Sequence, residues 1–306
     1  MKPFEYKAVH SIEEACTTLI EYGSDARILA GGTDLLIELR KPNVKSPKVV
    51  IDISFINELC NIKPQHGTVI LKPLVTHSEI VDSKVIQQYA LFLSSAASTI
   101  GSLQIRNRGT VGGNIMNAAT CADTVPPLIA LGAKITLRSK NNSRQLDLSD
   151  LFIKPYQTQS QPDELLTEIN FTKLPENAKS SFIKLGRRNA LSISRLSVAA
   201  ILTQDKNGKI VDARIVPGAA LPVWRRVTEA ENLLVGEKPS KKLFTAAGQK
   251  VSEVMISYTG RRWSTEYKES VIAVLVRRAL EKCTLTPNPS PNLGEGSSDS
   301  SERGEG

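Results

Sequence analysis

Gln104-Ile105-Arg106-Asn107-Arg108-Gly109-Thr110-Val111-Gly112-Gly113-Asn114-Ile115 runs without a break into Met116-Asn117-Ala118-Ala119-Thr120-Cys121-Ala122-Asp123-Thr124-Val125-Pro126-Pro127. The segment is rich in small residues, amides and hydroxyls and poor in bulky polar side chains. A paired glycine lets another molecule approach the backbone, because no Cβ stands in the way. Thr110, Asn114, Asn117 and Thr120 offer hydrogen bonds to a polar ligand. A second loop of the same make lies far upstream, Ala30-Gly31-Gly32-Thr33-Asp34-Leu35-Leu36. The expectation is that two Gly-Gly loops from distant parts of one domain close over the diphosphate of a single nucleotide.

Around the upstream loop, 26–30 reads as a buried strand and 34–39 as a helix. A strand, a glycine turn and a helix N-terminus make an anion site, because free N–H groups and the helix dipole both favour phosphate. The spacing is not G-x-G-x-x-G, and no acidic residue follows a second strand as a dinucleotide fingerprint requires, which disfavours a Rossmann fold. Before this loop, Phe4-Glu5-Tyr6-Lys7 is a short strand. Ser11-Ile12-Glu13-Glu14 is a capping box that starts a helix through Ala15, Leu19 and Ile20, ended by Gly23. After it, 48–53 and 69–71 are strands, and Thr76 or Ser78 caps a short helix. The pattern is helical over 89–100. Residues 128–131 read as a buried helix, 134–138 as a strand, Asn141-Asn142-Ser143 as a turn and 165–171 as a strand. Leu174-Pro175-Glu176-Asn177 marks a domain boundary.

The second part opens with the strand Ser181-Phe182-Ile183-Lys184-Leu185-Gly186. Strands at 197–202 and 210–216 flank Asn207-Gly208, a hairpin turn. Helices follow from near Ser240 and over 266–282, the latter with an apolar face of Val271, Ile272, Leu275, Ala279 and Leu280. Three antiparallel strands followed by helices make an α+β unit with its helices on one face. From Thr284 the chain is rich in Pro, Gly and Ser and cannot offset its ordering entropy, so a disordered, dispensable tail is expected over 284–306.

Composition narrows the classes. A chain of 306 residues accommodates two domains and a large core. No apolar run approaches the ~20 residues of a membrane span, and the N-terminus has no apolar h-region, so a cytoplasmic protein is expected. Cys16, Cys60, Cys121 and Cys283 are widely spaced with no C-x-x-C, which argues against zinc, an iron–sulfur cluster on this chain, or a disulfide framework. The net charge of +8 is uneven: zero over residues 1–177, +11 over 178–283 and −3 over 284–306. A basic second half suits an acidic partner or phosphates, or is simply a solvated surface. Nucleic acid is disfavoured, because aromatics are few and no binding motif is present. No Ser/His/Asp or Cys/His set stands out.

The ordered set Ala30-Gly31-Gly32-Thr33-Asp34-Leu35, Ile105-Arg106-Asn107-x-Gly109-Thr110-Val111-Gly112-Gly113-Asn114, Ala122-Asp123-x-x-Pro126, Phe182-x-Lys184-x-Gly186-Arg187-Arg188 and Tyr267-x-x-x-Val271-x-x-x-Leu275-x-x-Arg278-Ala279-Leu280 resembles the FAD-binding medium subunit of the molybdenum hydroxylases. This is the xanthine dehydrogenase and carbon monoxide dehydrogenase family, and the likeness covers roughly residues 3–283. It implies an α+β chain: a two-part FAD-binding domain of the vanillyl-alcohol oxidase type over 1–176, then a smaller α+β domain over 178–283 with a three-stranded antiparallel sheet and helices. It implies FAD extended in the first domain, with its flavin ring near the second domain and its pyrophosphate on the two glycine loops.

By resemblance, Ala30, Gly31, Gly32, Thr33 and Asp34 match the first loop, and Thr110, Gly112, Gly113 and Asn114 the second. Asp123 matches an aspartate facing the adenosine or ribityl side of the cofactor; alternatively it is an N-cap before Val125. Lys184 matches a lysine near the pyrimidine edge of the flavin; alternatively it is a surface lysine. Arg187 and Arg188 suit the flavin, a nicotinamide nucleotide, subunit docking or solvent equally. Lys72-Pro73 replaces an expected Gly-Ala, which bears on the local turn and on one cofactor contact. Ser192 to Ser194 stands where many relatives carry an aspartate. No cysteine-rich insertion for an extra cluster is present. His10, His66 and His77 lie outside both loops, so the FAD is expected to be non-covalent. The implied activity is that of an oxidoreductase subunit. Partner chains, a molybdopterin-binding large subunit and a small subunit with two iron–sulfur clusters, feed electrons to this FAD and on to NAD or another acceptor. The alternative is a stand-alone FAD-dependent oxidase or reductase.

Overall fold

The computed structural model describes residues 3–188, 191–261 and 263–284. Three strands open the chain, β1 (Glu5–Ala8), β2 (Ala26–Leu29) and β3 (Val49–Asp52), paired in parallel in the order β1-β3-β2. Helix α1 (Ile12–Tyr22) connects β1 to β2 and buries Ile12, Ala15, Cys16 and Leu19. Ser11 Oγ accepts from the Glu14 amide at 3.1 Å. The returning bond is displaced by one residue from the expected box: the Glu14 carboxylate accepts from the His10 amide at 2.8 Å. Gly23 ends α1 with a positive φ of 48°, as its lack of a Cβ allows. The strand expected to be buried at 26–30 is an edge strand; Ala26 is buried and Ile28 and Leu29 are only half-buried. Helix α2 (Leu35–Leu39) begins directly beyond the first glycine pair.

The second sheet is antiparallel throughout. Its strands are β4 (Ile62–Gln65), β5 (Thr68–Leu71), β6 (Lys134–Arg138), β7 (Ser143–Asp147) and β10 (Leu165–Thr172), in the order β4-β5-β10-β6-β7. A small hairpin, β8 (Phe152–Lys154) and β9 (Gln157–Thr158), stands apart. Six short helices separate β5 from β6: α3 (His77–Asp82), α4 (Lys84–Tyr89), α5 (Leu91–Ser98), α6 (Leu103–Arg106), α7 (Val111–Asn117) and α8 (Val125–Ala130). Thr76, not Ser78, caps α3, with both halves of a capping box made to Glu79; the Ser78 hydroxyl bonds to Asn107 instead. The helical pattern over 89–100 is interrupted at Ala90, whose φ of −154° ends α4 and starts α5. The turn keeps Ile86 and Leu93 in the same core.

The remaining sheet comprises β11 (Ala178–Leu185), β12 (Leu196–Gln204) and β13 (Ile210–Gly218), antiparallel in that order. Gly208 turns the β12–β13 hairpin with φ 75°. The central strand β12 is buried on both faces, which the two-residue period of a strand makes legible. Leu196, Val198, Ala200 and Leu202 face one core, with α10 (Lys241–Thr259) and α11 (Thr265–Thr284). Ala199 and Ile201, with Val216, join the core of the five-stranded sheet and α8. Helix α9 (Thr228–Glu231) packs against β13. The sheet thus has helices of its own on one face and the first domain on the other. On α11, Ile272, Leu275, Ala279 and Leu280 are buried as the apolar face predicts, and Val276 and Cys283 join them. Thr284 still belongs to α11; the rest of the expected tail, 285–306, lies outside the described residues.

Gly248 on α10 marks the tightest point of the helix pair, since a Cβ there would lie 2.3 Å from the Ala273 carbonyl oxygen of α11. Overpacking of this kind costs about 1–3 kcal/mol. Gly248→Val is expected to lower the denaturation midpoint accordingly in urea titrations, while Gly236→Val, whose site has open space but a φ of 89°, loses stability through backbone strain instead.

Candidate functional site

The two glycine loops meet. A Cβ on Gly31 would lie 1.9 Å from the Arg108 carbonyl oxygen and 3.0 Å from the Gly109 Cα, so the two backbones touch. Residues 73–77 run alongside the second loop. Gly112 N donates to Pro73 O at 2.8 Å, Val111 N to Val75 O at 2.9 Å and His77 N to Gly109 O at 3.0 Å. A Cβ on Gly112 would strike Pro73 Cβ at 2.5 Å. The Lys72-Pro73 sequence therefore forms its turn and presents its carbonyl to the second loop, with the Lys72 ammonium paired to Glu168 at 3.1 Å.

Within each pair the two glycines have different duties. Gly31 and Gly112 admit neighbouring protein backbone. Gly32 is needed for its positive φ of 73°, and Gly113 is exposed, with only Thr110 Oγ1 at 3.0 Å from its notional Cβ. The Leu36 amide, in the first turn of α2, is spent on Gly32 O at 3.2 Å, whereas the amides of Gly31 to Asp34 have no acceptor among the described residues, and Asp34 at the N-cap makes no side-chain capping bond. The second loop differs from the expectation of open backbone donors. The α7 amides are spent inside the chain: Val111 and Gly112 as above, Gly113 on Thr110 Oγ1 at 3.0 Å, and Asn114 on Thr110 O at 3.0 Å. Asn114 Oδ1 accepts from Thr124 Oγ1 at 2.7 Å. The unspent backbone amides are thus concentrated at Gly31–Asp34, against which the second loop packs.

Asp123 and Lys184 come together. Lys184 Nζ donates to Asp123 Oδ2 at 2.7 Å and to Thr99 O at 2.9 Å; Ser194 Oγ donates to Asp123 Oδ1. Asp123 is no N-cap: Thr124 holds that place before α8. Lys184 is no surface lysine, its side chain being 11% exposed. Burial raises the Asp123 carboxyl, opposed by the Lys184 charge and by the bonds from Lys184 and Ser194. Cys121 ties this pair to the first loop. Burial, then the nearby Asp123 and Asp34 carboxylates, push its thiol up, while Lys184 pulls it down. The Asp34 and Asp123 carboxylates and the Lys184 ammonium thus all lie near one thiol. Arg187 and Arg188 are exposed. Arg188 braces the following loop through the Leu191 carbonyl, and the Arg187 amide donates to Ser192.

Thr99 carries no local signal; Pro73 and Ser194 stand out in the sequence only as departures from the family's pattern, and only the fold brings Thr99 and Ser194 to Lys184 and Asp123. His77 lies 3% exposed beneath Gly109, with Nδ1 unpartnered. Among the described residues no cluster of His, Cys, Asp and Glu could hold a metal ion, and no helix is long and apolar enough to cross a membrane.

Residues 2–174 match the family profile of the FAD binding domain in molybdopterin dehydrogenase, and residues 181–283 that of the CO dehydrogenase flavoprotein C-terminal domain. The chain belongs to the FAD-binding subunits of the molybdopterin dehydrogenases. It is 32% identical to the 6-hydroxypseudooxynicotine dehydrogenase complex subunit alpha of Paenarthrobacter nicotinovorans, over 94% of this chain and 98% of the relative. It is 31% identical to the glyceraldehyde dehydrogenase medium chain of Sulfolobus acidocaldarius, over 91% and 98%. Its fold superposes on a chain of carbon monoxide dehydrogenase from Hydrogenophaga pseudoflava with a TM-score of 0.86 at 28% identity, covering 92% of this chain and 98% of that one. The cleft fits FAD: its donor set at Gly31–Asp34 suits a diphosphate, and Lys184 supplies a nearly buried cation. Like these relatives, the chain is an oxidoreductase subunit.

Two stability measurements check this geometry. Gly31→Val is expected to force the loops apart and cost several times the effect of Gly113→Ala, which adds helix propensity of up to about 1 kcal/mol and meets only the Thr110 hydroxyl, at 3.0 Å. Thermal melts of the two variants without added FAD give the comparison. Burial lowers the His77 pKa from 6.5 to about 4. A group whose folded pKa is depressed leaves the unfolded chain binding more protons, so stability is full above pH 6.5 and falls toward pH 4. The lost stability is on the order of 3 kcal/mol. Urea midpoints between these pH values should show this slope in the native chain and lose that component in His77→Gln.

Proposed function

We propose that this chain is the electron-transfer flavoprotein of a multi-subunit molybdenum hydroxylase in the cytoplasm. A molybdopterin-binding large subunit oxidises the substrate, and a small subunit with two iron–sulfur clusters delivers single electrons. NAD or another acceptor receives them as pairs. FAD, when bound, supplies this exchange between one- and two-electron chemistry. The observation that carries the reading is the backbone contact of the Gly31 turn with Arg108 in a chain whose Lys184 cation is buried against Asp123.

In this reading residues 1–176 form the FAD-binding unit and 178–283 the C-terminal unit. Ala30, Gly31, Gly32, Thr33 and Asp34 wrap the diphosphate, chiefly with the backbone amides of Gly31 to Asp34. Thr110, Gly112, Gly113 and Asn114 close the opposite wall, with Gly113 on the open side and Gly112 holding the loop on Pro73. Lys184 lies by the pyrimidine edge of the flavin, where its charge favours the electron-rich ring, and Asp123 holds it there. The histidines stand outside both loops, in keeping with non-covalent binding. The chain's own work is to bind, orient and set the field; no residue is asked to act as an acid or base. The net charge of +11 over 178–283 suits an acidic docking partner or NAD.

The test is the assembled complex. Co-expression with molybdenum and iron–sulfur partner chains should yield one bound FAD per chain. Gly113→Val should keep the fold and lose the flavin absorbance on desalting. Anaerobic reduction followed by rapid mixing with NAD should restore the oxidised flavin spectrum. A folded, assembled chain that never retains FAD would sink the proposal, and reoxidation only by other acceptors would remove NAD from it.

A further inference from the structure

We infer that Ser194 is a positioning residue for the bound flavin: through Asp123 it fixes the Lys184 ammonium so that one N–H is left for the cofactor. The inference rests on the proposed placement of FAD beside Lys184.

An ammonium has three donors. Two are committed inside the chain, to Asp123 Oδ2 at 2.7 Å and Thr99 O at 2.9 Å. Among the described residues the third has no acceptor. Lys184 projects from β11 with its side chain 11% exposed, so water does little to serve that donor. The three anchors come from separate places in the fold: Thr99 just after α5, Asp123 just before α8 and Ser194 just before β12. An ammonium held by two acceptors and by its own carbon stem has little freedom to turn, and its remaining N–H has a defined direction.

Ser194 decides which oxygen of Asp123 is available. Its hydroxyl donates to Oδ1, leaving Oδ2 to Lys184. Both residues are buried, Ser194 at 6% and Asp123 at 4%, so no solvent molecule competes freely for Oδ1. A carboxylate that accepts at both oxygens also shares its charge between the two donors. Without the serine hydroxyl, the whole charge would draw on the ammonium, and Lys184 would be pulled toward Asp123 and away from the cleft. In a low-dielectric site a small displacement of a unit charge changes the field at a neighbouring ring substantially. Ser192 has a different duty, accepting from the Arg187 amide at 2.8 Å, and serves as an internal control.

The experiment is the midpoint potential of bound FAD in the full-length chain, by spectroelectrochemistry, with the FAD dissociation constant measured alongside. Ser194→Ala is expected to make the potential more negative and to weaken FAD by about tenfold, the scale of one hydrogen bond to a charged group. Ser194→Thr should restore both, and Ser192→Ala should leave the potential unchanged. Lys184→Gln should shift the potential further in the same direction. If Lys184→Gln does not fold, Lys184→Arg replaces it, read through the shape of the visible flavin bands. A wild-type potential in Ser194→Ala, with a shifted Lys184 variant, reduces Ser194 to a structural role and overturns the inference alone. A potential that rises means Asp123 takes up a proton, which also overturns it. If neither Lys184 nor Ser194 variants disturb the flavin, the placement of FAD beside Lys184 is itself wrong.

Discussion

Gly31 rests on the carbonyl of Arg108, closer than any side chain would allow. Everything else in the cleft follows from that contact. It fastens the parallel three-stranded layer, whose β2 leads into Gly31, to the helical insertion of the antiparallel sheet, which carries Arg108 and Gly109. Backbone-to-backbone contact of this sort tolerates no Cβ, and the bonds that the Gly112 and Val111 amides donate to the Pro73 and Val75 carbonyls keep the second loop from retreating. Two segments about eighty residues apart in sequence thereby become the two walls of one narrow cleft.

The third wall comes from the second domain, and it is held by a different kind of force. β12 is buried on both faces and so cannot separate from the first domain without exposing Ala199 and Ile201. Polar ties lie along the same seam: Arg214 to the Ala130 carbonyl at 3.0 Å, the Ala219 amide to Thr120 O at 3.0 Å, and Gly218 against Pro126. The Asp123–Lys184 pair is the most costly of these to bury, because desolvation of two charges offsets much of their attraction. Apolar replacements would serve packing equally well. A buried ion pair facing a cofactor cleft is better understood as a source of field.

That view suits the proposed reading, in which no residue of the chain acts as an acid or base. In that reading the chain contributes a rigid diphosphate cradle at one end and a fixed cation at the other. The redox chemistry belongs to the cofactor, and the substrate belongs to chains that this one does not include.

Much of this was legible in the sequence because it depends on local chemistry. The glycine pairs, the cap at Thr76, the Asn207-Gly208 turn and the apolar face of α11 are short-range signals with direct physical readings. The ordered motifs also identified the family and its cofactor. Other features could not be read, because they depend on which distant groups become neighbours. The sequence treated all four glycines as open to a ligand, whereas packing assigns Gly31 and Gly112 to the protein, gives Gly32 a turn with positive φ and leaves Gly113 exposed. It left Asp123 and Lys184 each with a separate role, and only the docking of β11 against the first domain made them partners. Thr99 carries no local mark at all. Sequence determined the kinds of groups available and the turns that present them; tertiary structure decided which backbone donors remain unspent, because a hydrogen bond is settled by the neighbour that arrives and not by the residue that offers it.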